Sequence, residues 1–588
     1  MIEPRFRWRL PEPVEPTSDF LVAARAAGFS ERITALLVRR GVADTEALAA
    51  FVAPSGEGLH DPAMLPDSAA LVARLERARG AGERVLVFGD FDADGLTGLA
   101  ITVRALRRFG VDAEPYVPSR IDEGHGLSLR AVDTAEADGR SLIVTVDTGS
   151  TSALEIAEAS RRGIDVIVTD HHRLPPQLPN VVALVNPHRD DSIYPDPRLT
   201  GSGVAFKVAQ LLLAGVPGAS EGALALAELA TIGTVADVAP IIGENRAIAR
   251  LGLDRLRTAP LPGLAAMLEL AGVAPASVDL ETVAYVIAPR LNAAGRVGDA
   301  IEAACLLLTD DPAEAAELAA GLQAANLVRR DLTKTAIAEA QAVLAADPGD
   351  AAATVVRGDW PVGVIGLVAG RLADERGRPA VVGTELDGVI RASCRSAAGF
   401  ALAAALADCS DLFVRHGGHP GAAGFELRPD RWEAFRERFL ALVTTGLPAS
   451  SDGRPALRVD LVVPAPEVDY GFLTELHRLD PTGPGNPDPL VAVEGLTVTR
   501  VRAANGGHTQ LTLRKRLDVV DGIAFGRSDL ADAVQEGDVL DVVARIVTRR
   551  FGGYESIQLE IRDAAPAGHA ALLAATTDPG PVAAGIGR

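Results

Sequence analysis

The sequence predicts an α/β protein: a largely parallel sheet, joined by a long helix to a smaller α/β unit, with a small β-barrel after it. Three features carry this. From about residue 81 short apolar runs alternate with helical stretches, Asp310 to about Leu344 is an unbroken helical pattern, and from about 455 to 563 short β-rich runs alternate with turns. Alternating strands and helices build a mainly parallel sheet, whereas a succession of short strands suits a barrel. At 588 residues the chain exceeds what one core supports, so several domains are expected.

Composition narrows the class. An apolar fraction of 48 % with 58 glycines and 38 prolines belongs to a folded, loop-punctuated protein. Cys305, Cys394 and Cys409 are odd in number and lack metal or disulfide spacing, which points to a reducing compartment. The N-terminus has no apolar stretch of signal length, and no run approaches the roughly 20 residues that span a bilayer. The chain therefore reads as cytoplasmic, with no membrane partner. A net charge of −21 opposes non-specific nucleic-acid binding, although a local basic groove can coexist with an acidic exterior. Only Lys207, Lys334 and Lys515 are lysines among 57 basic residues. Arginine is the better bidentate phosphate ligand, but a GC-rich genome produces the same bias.

Residues 1 to about 60 are Pro-rich, then helical in pattern, with no readable chemistry. Val85–Phe88 reads as a strand buried on both faces. Asp90, Asp92, Asp94 and Gly95 follow it. Three acids this close repel one another, which is tolerated in solvent or around a divalent cation. An EF-hand is excluded, because Ile101 stands where the bidentate Glu belongs and a strand leads in. Leu142–Val146, Val166–Thr169 and Val181–Val185 are further strands, ending in Asp147-Thr-Gly-Ser150, Asp170-His171-His172 and Asn186-Pro-His188. Open parallel sheets form sites beyond their carboxyl ends. Four strand ends thus deliver an acidic cluster and a histidine pair to one rim, and Asp237 follows the helical stretch Gly222–Leu229. Carboxylates with imidazole suit Mn²⁺ or Mg²⁺. There are enough acidic ligands for two ions, which at about 3.5–4 Å apart would activate water against a phosphoester.

In the long helix Asp311 is the expected N-cap, Pro312 lies in the first turn, and Leu318, Leu322 and Ala325 mark one face. Asn326, Arg329 and Arg330 form either a solvated basic face or a nucleic-acid contact. The unit from about 350 to 445 carries Trp360–Gly366, Ala392–Ser396 and the glycine-rich Arg415–Gly424. Glycines there are either a bare turn or let backbone amides approach a phosphate, with His416, His419 and Arg395 adding charge-assisted bonds. The barrel strands expected are Leu457–Val463, Val491–Val501, Thr509–Leu513, Val519–Phe525, Val539–Val547 and Ser556–Ile561. Arg500, Arg502, Arg514, Lys515, Arg516, Arg549 and Arg550, with Phe551 and Tyr554, make either a single-strand groove or a solvated barrel surface. The Ala/Gly-rich stretch after Ala564 is expected to be disordered.

Asp90–Gly95, Asp147–Ser150, Asp170–His172 and Gly233–Asp237 together resemble, in order and spacing, the motifs of the DHH phosphoesterase superfamily. Pro118–Leu127, Leu199–Phe206 and Ala288–Arg296 are similar to stretches of its branch of single-strand-specific 5′→3′ DNA exonucleases. Arg415–Gly424 resembles the GGHxxAAG signature of a DHHA1 domain, and Asp480–Pro487 the entry to that branch's OB-fold. The resemblance runs from about residue 85 to beyond 560. It implies an N-terminal extension at 1–60, a DHH catalytic domain at 61–309, a connecting helix at 310–345, a DHHA1 substrate-binding domain at 346–448, an OB-fold at 455–563 and a disordered tail at 564–588.

Carried over by motif, it implies that Asp92, Asp94, Asp147, His171 and Asp237 bind the metals, with Asp90 and His172 as catalytic members that ligate or orient water. His125 stands where the family has Tyr. Arg290, Asn292, Arg296, Ser393, Arg395, His416, Gly418 and His419 are the implied substrate-binding residues. A 5′-directed exonuclease needs an anion anchor, so Ser393 and Arg395, with Arg296 or Arg290, are expected to hold the 5′-terminal phosphate. The implied activity is two-metal (Mn²⁺ or Mg²⁺) hydrolysis of single-stranded DNA from its 5′ end. The implied setting is recombinational, base-excision and mismatch repair, with single-strand binding protein and a RecQ-type helicase as partners. Two alternatives stand beside this: a DHH phosphodiesterase of oligoribonucleotides or cyclic dinucleotides, which needs no extended binding track, and a non-catalytic replication subunit, which has no need of intact carboxylates and histidines.

Overall fold

The computed structural model describes residues 2–346, 352–397, 399–418, 421–446, 454–551 and 554–576. The chain divides into two compact units. One is Met1–Glu57 with Pro240–Gly243 and Ser450–Arg588; the other is Gly58–Ala239 with Glu244–Ala449.

The first unit opens with β1 (Arg7–Arg9) and the helices Ser18–Ala26, Glu31–Arg39 and Thr45–Val52. Thr17, Ser30 and Asp44 cap these helices, each side chain accepting from an amide of the first turn, which satisfies a donor that helix geometry leaves open. Phe20, Ile33, Leu36, Leu37, Leu48 and Phe51 then pack into one core with barrel residues such as Leu461, Val491 and Leu559. The segment read from sequence as an extension thus shares a hydrophobic core with the barrel, which buries its apolar faces.

The second unit holds a parallel sheet of β2 (Arg84–Gly89), β3 (Asp112–Tyr116), β4 (Leu142–Val146), β5 (Asp165–Thr169) and β6 (Ala183–Val185), in the order β3-β2-β4-β5-β6. β3 has no counterpart in the sequence reading. It is an edge strand, Asp-Ala-Glu-Pro-Tyr, whose Pro115 registers with Val87, and an edge tolerates both the proline and the missing apolar run. The helix Ala227–Ala236 replaces the expected stretch Gly222–Leu229 as the element before Asp237.

The helix Pro312–Ala346 is continuous over 35 residues, roughly 50 Å at 1.5 Å per residue. Asp311 Oδ1 accepts from the Ala313 amide at 2.8 Å. Its buried stripe is Ala315, Ala319, Leu322 and Asn326, with Leu318 and Ala325 half-buried at the border. It leads into a mixed sheet of β7 (Thr354–Gly358), β8 (Ala380–Leu386), β9 (Val389–Arg395), β10 (Phe413–Gly418) and β11 (Ala422–Leu427), ordered β10-β11-β9-β8-β7.

The chain returns to the first unit through β12 (Ala456–Arg458), which pairs with β1, and β13 (Leu461–Pro464). β14 (Val491–Ala504), β15 (His508–Lys515), β16 (Asp518–Ala524), β18 (Tyr554–Pro566) and β17 (Val539–Phe551) follow one another around a five-stranded barrel, closed where β17 pairs back onto β14. A register shift between Val493 and Leu496 lets the long β14 bend and serve both neighbours. The expectation of disorder from 564 onward is corrected in part. β18 runs to Pro566 and a helix spans His569–Thr576. Ala565 and Ala570 are buried with Trp8, so small residues here fill a tight contact rather than avoid one. Residues 577–588 lie outside the described residues.

Candidate metal centre

The parallel ladder places the site. Gly89 registers with Val146, Val146 with Thr169 and Thr169 with Val185. One residue further on, the amides of Asp90, Asp147 and Asp170 still donate to Val146, Thr169 and Val185. Asp90, Asp147, Asp170 and Asn186 therefore leave the sheet side by side, at the carboxyl rim where parallel folds build sites.

Asp92 caps the helix Ala93–Phe109, its Oδ1 accepting from the amides of Asp94 and Gly95 at 3.1 Å each. Asp94, 2 % exposed, accepts from the amides of Gly201 at 2.7 Å and Ser202 at 3.0 Å, at the N-terminus of the helix Gly201–Leu213. Helix N-termini favour anions, which offsets part of the repulsion in the cluster. That helix is pinned in turn by Lys207, whose Nζ lies 2.9 Å from Glu244 Oε1 with both side chains fully buried. Gly233 packs so closely that a Cβ there would fall 2.2 Å from Asp94 Oδ1. Asp237 ends the helix Ala227–Ala236 as its C-cap.

His171 Nε2 stands 3.0 Å from Asp147 Oδ1 and 3.8 Å from Asp94 Oδ2. His172 Nδ1 lies 2.8 Å from Asp170 Oδ1, and Asp170 also accepts from the amides of His171, His172 and Ser150. Asn186 Nδ2 donates to the His172 carbonyl at 2.9 Å. Asp90 Oδ2 meets His125 Nδ1 at 3.0 Å. His125 is 69 % exposed there, its ring 4.5 Å from that of Phe91.

Three overlapping groups have potential ligand atoms within 4.8 Å of one another: Asp147, His171 and His172; Asp94, His171 and Asp237; Asp90, Asp92 and Asp147. The seven residues read from sequence as ligands or catalytic members are thus brought to one rim. Burial first, and then the neighbouring carboxylates, push Asp92 up to about 6 and Asp237 up to about 7, and raise Asp147 well above the carboxylate range. Burial lowers His171 and so favours the neutral imidazole that ligates. Its hydrogen bond with Asp170 raises His172 to about 9. Burial works against Asp170, yet its bonds from His172 and Ser150 take it below the usual range. Among the described residues no hydrogen bond reaches the buried Asp147 Oδ1, a costly state for a carboxylate unless a cation meets it. The oxygen-rich donor set with imidazole fits Mn²⁺ or Mg²⁺.

Beside the carboxylates lies an arginine cluster. Asn292 Oδ1 accepts from the Ala93 amide at 2.9 Å, tying the helix Ala288–Val297 to the acidic turn. Arg296, on that helix, donates to the Gly363 carbonyl at 2.9 Å. Burial first, then the charges of Arg120, Arg329 and Arg395, bring it down to about 9. Arg120, unremarked in the sequence reading, lies 4.0 Å over the Phe91 ring, and its buried Nε has no hydrogen-bond partner among the described residues. In β9, Ile390, Ala392 and Cys394 are buried while Arg391, Ser393 and Arg395 alternate with them, so period two puts Ser393 and Arg395 on one face. Arg395 Nη1 donates to Ser393 Oγ at 3.1 Å. Arg290 turns aside, donating to Gln323 and the Val286 carbonyl.

His416 is not brought to that face. It registers with Phe425, which registers with Ala392, and its ring lies 5.4 Å from Phe413, on the side of the sheet opposite Ser393. Gly418 registers with Ala423, and His419 lies outside the described residues. On the barrel, Arg500, Arg502 and Arg549 line a cavity of about 200 Å³ with Gln510, Thr512 and Gln558. Lys515 instead donates to the Val468 carbonyl. The side chains of Arg550, Phe551 and Tyr554 lie outside the described residues.

Residues 84–234 match the DHH family, N-terminal domain; 349–445 the DHHA1 domain; and 459–563 the RecJ OB domain. The fold and the rim together define a phosphoesterase of the DHH class. The chain is 34 % identical over 570 residues to the single-stranded-DNA-specific exonuclease RecJ of Bacillus subtilis, covering 96 % of this chain and 71 % of that one. It is 34 % identical over 556 residues to RecJ of Dickeya dadantii, covering 90 % and 94 %. Its fold matches the crystal structure of RecJ in complex with Mn²⁺ from Thermus thermophilus with a TM-score of 0.81 at 30 % identity, over 95 % of this chain and 80 % of that one. A Mg²⁺ complex from the same organism matches with a TM-score of 0.74. The chain belongs to the RecJ family.

Proposed function

We propose that this chain is a metal-dependent exonuclease that removes nucleotides from the 5′ end of single-stranded DNA, with two ions at the rim. The observation that carries this is the buried, unbonded Asp147 oxygen among six further ligand-type residues, set beside arginines rather than lysines. Asp92, Asp94, Asp147, His171 and Asp237 would hold the ions, with Asp90 and His172 orienting water. Two bound Mn²⁺ or Mg²⁺ ions supply Lewis acidity for attack on the phosphodiester and departure of its oxygen. Asp170 fixes the His172 ring, and Asp94 is held by the Gly201 and Ser202 amides. Ser393 and Arg395, with Arg296 in preference to Arg290, anchor the 5′-phosphate, since Arg296 shares its surroundings with Arg395 while Arg290 is engaged with Gln323.

In this reading residues 61–309 are the catalytic domain, 346–448 bind substrate, and the arginine-lined cavity of the barrel at 455–563 takes further single strand. Family membership supports a cytoplasmic role in recombinational, base-excision and mismatch repair beside single-strand binding protein and a RecQ-type helicase. No described helix is long and apolar enough to cross a membrane. End-labelled single-stranded DNA, duplex DNA and dinucleotides, each incubated with Mn²⁺, Mg²⁺ or chelator, test the reading. The expected result is metal-dependent loss from the 5′ end of the single strand. Hydrolysis of dinucleotides alone, or degradation from the 3′ end, would overturn it.

A further inference from the structure

We propose that Glu244, with Lys207 and Tyr194, is a positioning clamp that fixes the axial register of the helix Gly201–Leu213 and, through it, the carboxylates of Asp94 and Asp147. The proposal rests on the reading of the rim as a metal centre and deepens it. The N-terminus of this helix touches both acids. The Gly201 and Ser202 amides donate to the two oxygens of Asp94, and a Cβ on Gly201 would fall 2.4 Å from Asp147 Cβ. Its seam with the helix Ala93–Phe109, which carries Asp94, is smooth: a Cβ on Gly98 would lie 3.3 Å from both Cα and N of Ser202. Helices usually lock by ridges seated in grooves. Where Gly98 faces Ser202 there is no ridge, and a slide of about 1 Å along the axis would misalign both bonds to Asp94.

Glu244 supplies what that seam lacks. It is fully buried in the first turn of the helix Gly243–Thr258. Its Oε1 lies 2.9 Å from Lys207 Nζ, on the second turn of the helix Gly201–Leu213, and accepts from the His60 amide at 3.0 Å. Its Oε2 accepts from the Tyr194 hydroxyl at 2.6 Å, while Lys207 Nζ also donates to the His60 carbonyl at 2.6 Å. The Glu244 amide donates to Asp196, whose carboxylate holds the amide and guanidinium of Arg198, two residues before the N-cap Thr200. One residue thus grips the helix by its side and by the loop that feeds its N-terminus. Taking two charges out of water costs about as much as their attraction returns, so a buried pair is weak evidence for stability; its best-attested use is to fix register. Here the register it fixes is that of the amides on Asp94.

The test compares Lys207→Met, the double variant Lys207→Met with Glu244→Gln, and Tyr194→Phe, each in the full chain. The readouts are Mn²⁺ binding by calorimetry, thermal unfolding with chelator, and the rate of single-strand degradation across a Mn²⁺ series. Lys207→Met leaves Glu244 charged without its cation and should lower both the unfolding midpoint and the Mn²⁺ affinity. The double variant removes both charges of the pair, so its unfolding midpoint returns toward the parent's. Its Mn²⁺ binding is expected to stay about 10-fold weaker, with the Mn²⁺ concentration for half-maximal rate raised to match and KM for the strand unchanged. Tyr194→Phe, which loses one hydrogen bond, should shift the same Mn²⁺ midpoint about threefold. A clamp that served folding alone would lower the maximal rate with the folded fraction and leave the Mn²⁺ midpoint in place. Parent-like Mn²⁺ affinity in the double variant overturns the proposal; should that variant not fold, parent-like affinity in Tyr194→Phe does so. Failure of the unmutated protein to bind Mn²⁺ would instead remove the metal reading of the rim, and the clamp's role with it.

Discussion

Asp147 sits at φ 62°, and Val238, next to Asp237, at φ 59°. Left-handed backbone is uncommon for aspartate and strained for a β-branched valine. Both strained residues flank the rim, where such conformations persist because the surrounding structure holds them. The Asp147 carboxylate is expected to contribute to ion binding more than to folding. Asp147→Asn should keep the thermal unfolding midpoint of the chelated protein or raise it, yet weaken Mn²⁺ binding by calorimetry at least about 10-fold, the lower end for losing a group that tunes a metal site. A second residue gives a pH signature away from the rim. Glu228 is 1 % exposed, and burial pushes it up to about 7 against the Leu261 amide and the charges of Arg255 and Arg104. The folded protein thus keeps a proton that the unfolded chain releases above about 4.5. Its cost to stability is absent below that value, grows as pH rises and levels off above about 7. Glu228→Gln should therefore match the parent near about pH 5 and exceed it near about pH 8 by on the order of 3 kcal/mol in thermal unfolding. The acids and histidines at strand ends were legible because each ends an apolar run. Asp170 was visible as a letter but not as the residue that orients His172, and Arg120 not at all, since neither burial nor a missing partner can be read from a string.

At the scale of elements, the helix Val362–Arg376 meets the helix Ala288–Val297 at Gly363, where a Cβ would lie 2.2 Å from the Arg296 carbonyl oxygen. The motif Trp360–Gly366 thus sets how closely Arg296 can sit to β9. Gly363→Ala is expected to cost about 1–3 kcal/mol as overpacking and to raise KM for 5′-phosphorylated strands more than it lowers kcat. A change in kcat alone would show that the contact acts elsewhere. Strands with apolar runs were legible as elements. β3 was not, because an edge strand needs no such run, and the misplaced His416 shows the limit of motif reading: a glycine-rich signature names neighbours in sequence but not the face on which each side chain emerges. The long helix was legible throughout, although its buried stripe follows Ala315, Ala319, Leu322 and Asn326 rather than Leu318 and Ala325.

Across the whole molecule, the barrel unit is assembled from both ends of the chain. Asp563, fully buried, accepts from the amides of Arg5 and Phe6 and from Trp8 Nε1 at 2.8 Å, and pairs with Arg527 at 2.9 Å. Asp563→Ala removes the acceptor of Trp8 Nε1 and of the Arg5 and Phe6 amides and leaves Arg527, among the described residues, paired with Asp529 alone, and should cost about 1–3 kcal/mol for the donors left unsatisfied. A chemical unfolding curve with an unchanged midpoint would show that the N-terminal strand is held by other means. None of this was legible, because a helical pattern over residues 18–52 does not name the surface that accepts it. The same arrangement sets a clock on biosynthesis. The apolar faces of Phe20, Ile33 and Leu37 leave the ribosome long before Leu559 and Ala564, the barrel residues they pack with. At about 5–20 residues per second that interval is roughly half a minute to two minutes. During it the nascent N-terminus is a standing target for chaperones and proteases, and the barrel end of this enzyme can mature only after nearly the whole chain has been made.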